Sequence, residues 1–556
     1  MKPIDLKVDV IGSGPSLSID GRERLAPQFT IALSSAMTYK SGSAIEIAED
    51  AIKNIKDEAR NGLKEGEDLE ERVDEILYKK LKDSLINSAG RGHASLSTSA
   101  GIWCLFRDSS KFVDSMFTGA IYSSSLMPSG RRIPVNVEGI VAPESIFNGD
   151  NKVKETYYET SRKNIEFYKL LIEKGVSKED AAKITQYGIL GGGFIYLPLE
   201  TIIGYKHEFE IEKGWTPREG HEFITQIEGQ LKGLGMDILY WARNYAPRNT
   251  INYPNIFTDP KKGSLVKNMI QKLSDVEKPF VNIDFSLIDD YFNRDVSNLI
   301  KLSQEITKDE DSLNDRWREL LLARKDFVKR YNGVISFSSL SDVSWRVWGE
   351  VKRHRTLEQS VESVYHAIDR ARDIINENRN LLTPLIFDNK VIDEISQVFV
   401  IPDDIKKKGL ANEWISKFVN SIDTYEELVS YGIPASDALC VVPRGLKLSV
   451  FKRFNLYNLL DGYLPLRLCG TAEPEMRRTT EIETKKILSE LGNWNSSIDY
   501  GGLSKLIGPK CSAAGFCLEP WKSYCGKIKN FIGIKYSKEF HDKMDGIRKE
   551  LIHSRL

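Results

Sequence analysis

Residues 343–364 read V-S-W-R-V-W-G-E-V-K-R-H-R-T-L-E-Q-S-V-E-S-V. Val343, Trp345, Val347, Trp348 and Val351 form an amphipathic run, and Leu357, Val361 and Val364 resume it on the far side. Between them, Lys352-Arg353-His354-Arg355 is a compact polycation. Guanidinium forks match phosphate oxygens in bidentate pairs, so the stretch suits a phosphate or pyrophosphate. It equally suits a solvated basic helix face, and the residues taken bare leave both readings open.

Around this stretch lie 556 residues, 41% hydrophobic, 28% charged and 10% aromatic, a composition that excludes disordered, collagen-like and low-complexity chains. At roughly 150 residues per domain the length fits several domains or one large intertwined unit. Lysine plus arginine number 78 against 79 acids, a net charge of −1, so no global basic field draws nucleic acid or an anionic membrane. A phosphate must be caught by local cations. No apolar stretch approaches the ~20 residues of a membrane span, and Met1-Lys2-Pro3-Ile4-Asp5-Leu6 has no apolar signal core, so the expected location is the cytoplasm.

The first ~150 residues read as α/β, with strands at Leu6–Gly12 and Phe29–Leu33 and helices at Ala44–Glu58 and Leu69–Asn87. Gly12-Ser13-Gly14 invites a dinucleotide-binding reading, but Leu17 occupies the third glycine position and Pro15 interrupts the helix entry; a Gly/Pro turn is the better reading. A charged helical pattern runs from Lys154 to Lys183, and Gly191-Gly192-Gly193 marks a turn into a strand at Phe194-Ile195-Tyr196. Proline and asparagine then collect between Asn244 and Pro279. The resulting division is a first repeat over 1–245, a linker over 246–279, a second repeat over 280–505 and a cysteine-containing tail over 506–556. A local echo supports the repeat: Lys174-Gly175-Val176-Ser177-Lys178-Glu179-Asp180-Ala181 returns as Tyr431-Gly432-Ile433-Pro434-Ala435-Ser436-Asp437-Ala438, each a glycine stop followed by a serine-capped restart.

In the tail, Cys511, Cys517 and Cys525 stand at spacings that, with His541 as a possible fourth ligand, allow a Zn²⁺ site. They lack the C-x2-C pair of a zinc ribbon, and reduced, packed cysteines are the alternative. Six cysteines in the whole chain are too few for a disulfide framework.

With its spacings laid out, the chain resembles the flavin-dependent thymidylate synthases, whose signature is R-H-R-x-x-S-x-x-x-x-S-x-R, preceded by G-H-x-S and followed by L-R-x-x-x-x-A-Q-x-E. In the first half, Gly92-His93-Ala94-Ser95 matches G-H-x-S, and Ser110, Ser124, Ser129 and Arg131 continue in register, but Gly119-Ala120-Ile121 stands at R-H-R. In the second half, Arg353-His354-Arg355 matches R-H-R with Ser344 nine residues before it. Of the serines and arginine that follow in the signature, only Ser363 is kept there; Glu358 and Tyr365 take the other two positions. Leu466-Arg467, Ala472-Glu473 and Glu475 match the late motif with Glu473 in place of glutamine, and Glu350 takes another family glutamine position. The family's A-R-x-x-L-P arginine is replaced by Leu439.

The resemblance implies an α/β fold with two related domains, each a helix-covered sheet, forming a pseudo-dimer that pairs again into a homodimer. It implies reductive methylation of dUMP to dTMP with FAD as cofactor and NADPH and methylenetetrahydrofolate as co-substrates. The expected site is composite, one per chain. Arg353, His354, Arg355 and His93 would bind the flavin. Ser129, Arg131, Arg132, Arg467 and Glu350 would bind the nucleotide, and Arg467 would be the fixed cation for charge developing on the pyrimidine. The departures from the signature keep two alternatives in view: a non-catalytic flavin- or nucleotide-binding homologue, and an enzyme for a different pyrimidine nucleotide or methyl donor.

Overall fold

In the computed structural model, residues 1–556 are described except 17–24, 37–39, 129–132, 248–253, 306–312, 382–388, 494–500, 515, 528–529, 532–533 and 554–556. The chain folds into two compact units that trade short segments. The first comprises Met1–Lys174, Ile184–Asp259 and Lys417–Pro443, and the second comprises Gly175–Lys183, Pro260–Ser416 and Arg444–Leu556.

Each unit holds a four-stranded antiparallel sheet. In the first, β1 (Lys7–Gly14), β2 (Gly101–Ser110), β3 (Ser124–Leu126) and β4 (Leu190–Pro198) pair in the order β1-β2-β4-β3. In the second, β5 (Phe280–Ser286), β6 (Ile335–Ser344), β7 (Glu358–Val361) and β8 (Lys447–Asn455) pair in the corresponding order β5-β6-β8-β7. The first strand of each sheet is bulged, between Val10 and Gly12 and between Ile283 and Phe285. Alternation on β2 sends Ile102, Cys104 and Phe106 into the core and leaves Trp103 and Leu105 outward, as a sheet with one covered face requires.

The helices follow their sequence signals where caps are strong. Ser43 accepts from the Glu46 N–H while Glu46 reaches back to the Ser43 N–H, a complete capping box for the helix Ala44–Gly62. Asp68 caps Leu69–Ser88 in the same role. The helix Asn151–Glu173 stops at Gly175 (φ 76°), and a short helix Lys178–Ala181 restarts behind Ser177. The later echo repeats this at Gly432 (φ 83°) and Ala435–Ala438, although there Pro434, not Ser436, sits at the cap.

Several sequence expectations are corrected. Phe29–Leu33 is not a strand: it lies in the helix Pro27–Ser35, whose first turn accepts Pro27 because the missing N–H there has no intrahelical partner anyway. Short apolar runs do not distinguish the two states by periodicity. Gly12-Ser13-Gly14 is not a turn but part of β1, where the Trp103 ring covers both glycines. Gly191 to Gly193 likewise sit inside β4, and close packing there suits glycine: a Cβ at Gly191 would lie 2.6 Å from the Ser110 carbonyl oxygen and one at Gly193 would meet the Met127 sulfur.

The stretch read as a linker is partly folded. Ser264 caps the helix Leu265–Lys272, whose Val266 is buried with Leu340 and Phe451 in the second unit. Within the second unit, Phe516, Cys517, Tyr536 and Met544 of the tail form a core cluster with Leu320.

Candidate active site

The second unit builds its site at the end of β6. Ser344 closes that strand and caps the helix Trp345–Val351, accepting from the Val347 N–H at 3.1 Å. Trp345, Val347, Trp348 and Val351 are all buried, so the helix is anchored by the apolar run read from sequence. The helix stops at Val351, and Arg353-His354-Arg355 therefore lies in the turn that follows, not on a solvated helix face. Glu475, in the first turn of the helix Pro474–Asn493, fastens the strand end: its carboxylate accepts from the Ser344 N–H (2.6 Å) and Oγ (2.8 Å).

Arg467 occupies the centre. Its Nε donates to His354 Nε2 at 2.7 Å and its Nη1 to Glu350 Oε2 at 2.9 Å. Accepting at Nε2 requires a neutral imidazole with its proton on Nδ1. The surroundings agree, since burial first, then the Arg467 and Lys452 charges, push His354 down to about 3. The His354 ring packs edge-on against Tyr463 at 4.9 Å between centroids. Behind it, the buried Lys452 ammonium pairs with Glu483 at 2.6 Å. The result is a guanidinium held in one orientation by a carboxylate and a neutral ring, beside an exposed Arg353 and a half-buried Arg355.

Glu473, which replaces the family glutamine, has a partner that the motif does not reveal. Lys183 is wholly buried and its ammonium reaches Glu473 at 2.6 Å, Asp180 at 2.8 Å and Glu475 at 3.3 Å. Burial opposes this charge, but Glu475, Glu473 and Asp180 together outweigh it and raise Lys183 above its ordinary value. The only sequence signals are the acid-to-lysine spacing of Asp180 and Lys183 and the charge change at position 473.

Of the expected site residues, Glu350, His354 and Arg467 are brought into direct contact, with Arg353 and Arg355 in the same turn. His93 lies in the first unit, exposed at the start of the helix Ala94–Ser99 behind Gly92 (φ 94°). Ser129, Arg131 and Arg132 lie outside the described residues. The first unit repeats the strand-end fastening, because Glu219 accepts from the Ser110 N–H at 2.7 Å and from the Ser110 hydroxyl. Sequence reading singled out Ser110 but not Glu219.

Among the described residues no three His, Cys, Asp or Glu side chains gather as a metal-binding group, so the zinc expectation for Cys511, Cys517 and Cys525 gains no support here. Cys511 and Cys517 are buried and Cys525 is exposed. Burial first, then the neighbouring thiols Cys517, Cys469 and Cys525, push Cys511 up to about 11. His541 is turned toward the Tyr536 hydroxyl, 3.1 Å from its Nδ1.

Residues 332–490 match the family model Thy1, Thymidylate synthase complementing protein. The flavin-dependent thymidylate synthase of Pyrococcus furiosus (strain ATCC 43587 / DSM 3638 / JCM 8422 / Vc1) is 31% identical over 132 residues, 23% of this chain and 52% of that protein. That of Pyrococcus abyssi (strain GE5 / Orsay) is 28% identical over 133 residues, 23% and 50% of the two chains. The chain thus spans about half the length of the curated relatives it matches. Over this segment the chain is similar to the flavin-dependent thymidylate synthases.

Two solved structures are also similar. A UMP/dUMP methylase PolB from Streptomyces cacaoi bound with 5-Br dUMP is 12% identical, covering 44% of this chain and 98% of that one, with a TM-score of 0.31. The flavin-dependent thymidylate synthase ThyX of Helicobacter pylori complexed with FAD and dUMP is 15% identical, covering 37% and 92%, with a TM-score of 0.24. Superpositions this loose carry no weight for the fold. Among the described residues no helix is long and apolar enough to cross a membrane.

Proposed function

We propose that the second unit carries the flavin site of a reductive methylation that converts dUMP to dTMP, with methylenetetrahydrofolate as carbon source and NADPH as reductant. The observation that carries this reading is the Glu350–Arg467–His354 cluster, assembled from the R-H-R turn and the late L-R motif. The donor set fits an anionic flavin dinucleotide: Arg353 is exposed and Arg355 half-buried, so both can offer guanidinium donors to a diphosphate. Electron transfer is the flavin's own chemistry when bound, and the protein's share is orientation and electrostatics.

Arg467 holds a positive charge where negative charge would develop on the pyrimidine ring. Glu350 and His354 fix its direction, so little reorganisation is needed at the moment of reaction. His354 stays neutral and does not compete for the anion. The proposal extends to the molecule's history: the shared strand order and the two Ser–Glu fastenings support reading the units as diverged copies of one domain.

The test is a nucleotide panel. Purified protein reconstituted with FAD is given NADPH, methylenetetrahydrofolate and, in turn, dUMP, UMP or dCMP, and products are read by mass spectrometry. Formation of dTMP alone supports the proposal. A methylated product from UMP or dCMP in place of dUMP would move the substrate, and retained flavin with no product from any nucleotide would leave a binding homologue.

A further inference from the structure

We propose that a cavity in the first unit is a binding site for a small molecule carrying a primary ammonium group. The cavity measures about 720 Å³, within the range of small-molecule sites, and lies beside the Ser110–Glu219 fastening. Glu219, Asp437 and Cys440 line it, each at least nine-tenths buried.

The argument comes from comparing corresponding positions in the two units. The helix Lys178–Ala181 corresponds to Ala435–Ala438, and the turn Ala182–Ile184 to Leu439–Val441. Asp180 therefore corresponds to Asp437, Lys183 to Cys440, and Glu475, which fastens Ser344, to Glu219, which fastens Ser110. In the second unit the Lys183 ammonium fills the space between these carboxylates. In the first unit two of the three carboxylates have counterparts, Asp437 and Glu219, while Pro217 stands at the position of Glu473; the lysine is a cysteine, whose short side chain leaves a cavity where the ammonium would be.

Among the described residues no cation pairs directly with Glu219 or Asp437, although the Arg218 charge is felt at Asp437. Arg218 is drawn to Glu144 and to Glu222, the latter at 2.7 Å, and Lys7 pairs with Asp5 at 2.7 Å. Glu219 has only the Ser110 donors, and Asp437 has the Ser145 hydroxyl on one oxygen at 2.6 Å. Among the described residues neither forms an ion pair. Two buried carboxylates without an ion-paired cation are costly, and both are shifted upward, chiefly by burial, Glu219 to about 7, with the Arg218 charge only partly offsetting the shift of Asp437. An ammonium entering the cavity restores the arrangement that Lys183 makes elsewhere in the same chain.

The probe is n-butylamine, which is the lysine side chain as a free molecule, titrated into the full-length protein by calorimetry with n-butanol as the uncharged control. The proposal expects saturable one-site binding of the amine and none of the alcohol. Cys440→Lys, which places a tethered ammonium in the cavity, should abolish amine binding. Asp437→Asn should weaken it about tenfold or more, and this variant carries the test should Cys440→Lys fail to fold. Absence of saturable amine binding, equal binding of the alcohol, or unchanged affinity in a folded variant would overturn the proposal.

Discussion

Arg467 is clamped between a neutral ring and a carboxylate, and its chemistry is open to single substitutions. Arg467→Ala should lower kcat about 100- to 1,000-fold, as expected for loss of one preorganised donor, while flavin content stays at the wild-type level. His354 gives the clamp a pH limit. Its folded pKa of about 3 lies below the ordinary value of 6.5, so its contribution to stability is present above about pH 6.5 and is lost as pH falls toward 3. Thermal unfolding followed from pH 7 to pH 4 should therefore show a smaller acid loss in a His354→Phe variant than in the wild type. Glu219 has the opposite sign. Because its folded pKa is raised from 4.5 to about 7, its neutral form is favoured, and the chain loses stability as pH rises through that interval. Glu219→Gln should flatten that part of the stability profile; an unchanged slope between pH 4.5 and 7 would count against the assignment.

At the scale of elements, the sharpest prediction concerns the short segment Gly175–Lys183, which belongs to the second unit although it precedes most of that unit in sequence. Lys183→Met leaves Glu473 and Glu475 buried without their cation and should cost about 3 to 5 kcal/mol in denaturant unfolding. Adding Glu473→Gln, the family's own residue, should recover part of that loss; a double variant no more stable than the single one would show that the two charges are not coupled. This segment also marks how far the sequence was legible. The Ser344, R-H-R and L-R positions could be read because they are fixed spacings, and capping residues such as Ser43 and Asp68 announce their helices locally. Phe29–Leu33 and the glycines of β4 could not, because their states depend on distant partners: Gly191, Gly192 and Gly193 are strand through pairing with Ser109, Arg107 and Phe106 of β2. Lys183 escaped notice for the same reason, since two of its three carboxylate partners, Glu473 and Glu475, are nearly 300 residues away and only the Asp180 spacing is local.

For the molecule as a whole, two sheets of the same strand order differ in one consequential way. The second carries Arg353-His354-Arg355 beside β7, while the first has Gly119-Ala120-Ile121 at the corresponding sequence position beside β3, with Ala120 buried. An apolar stretch offers no fork to a diphosphate, so a second sheet of the same strand order need not bring a second cofactor. The direct measurement is the flavin content of the full chain after reconstitution with excess FAD and removal of unbound cofactor, read as released flavin absorbance against protein concentration. One FAD per chain, abolished by the double substitution Arg353→Ala and Arg355→Ala, is the predicted result. A ratio of two, no bound flavin at all, or full retention in the double variant would contradict the assignment of the flavin site to the R-H-R turn.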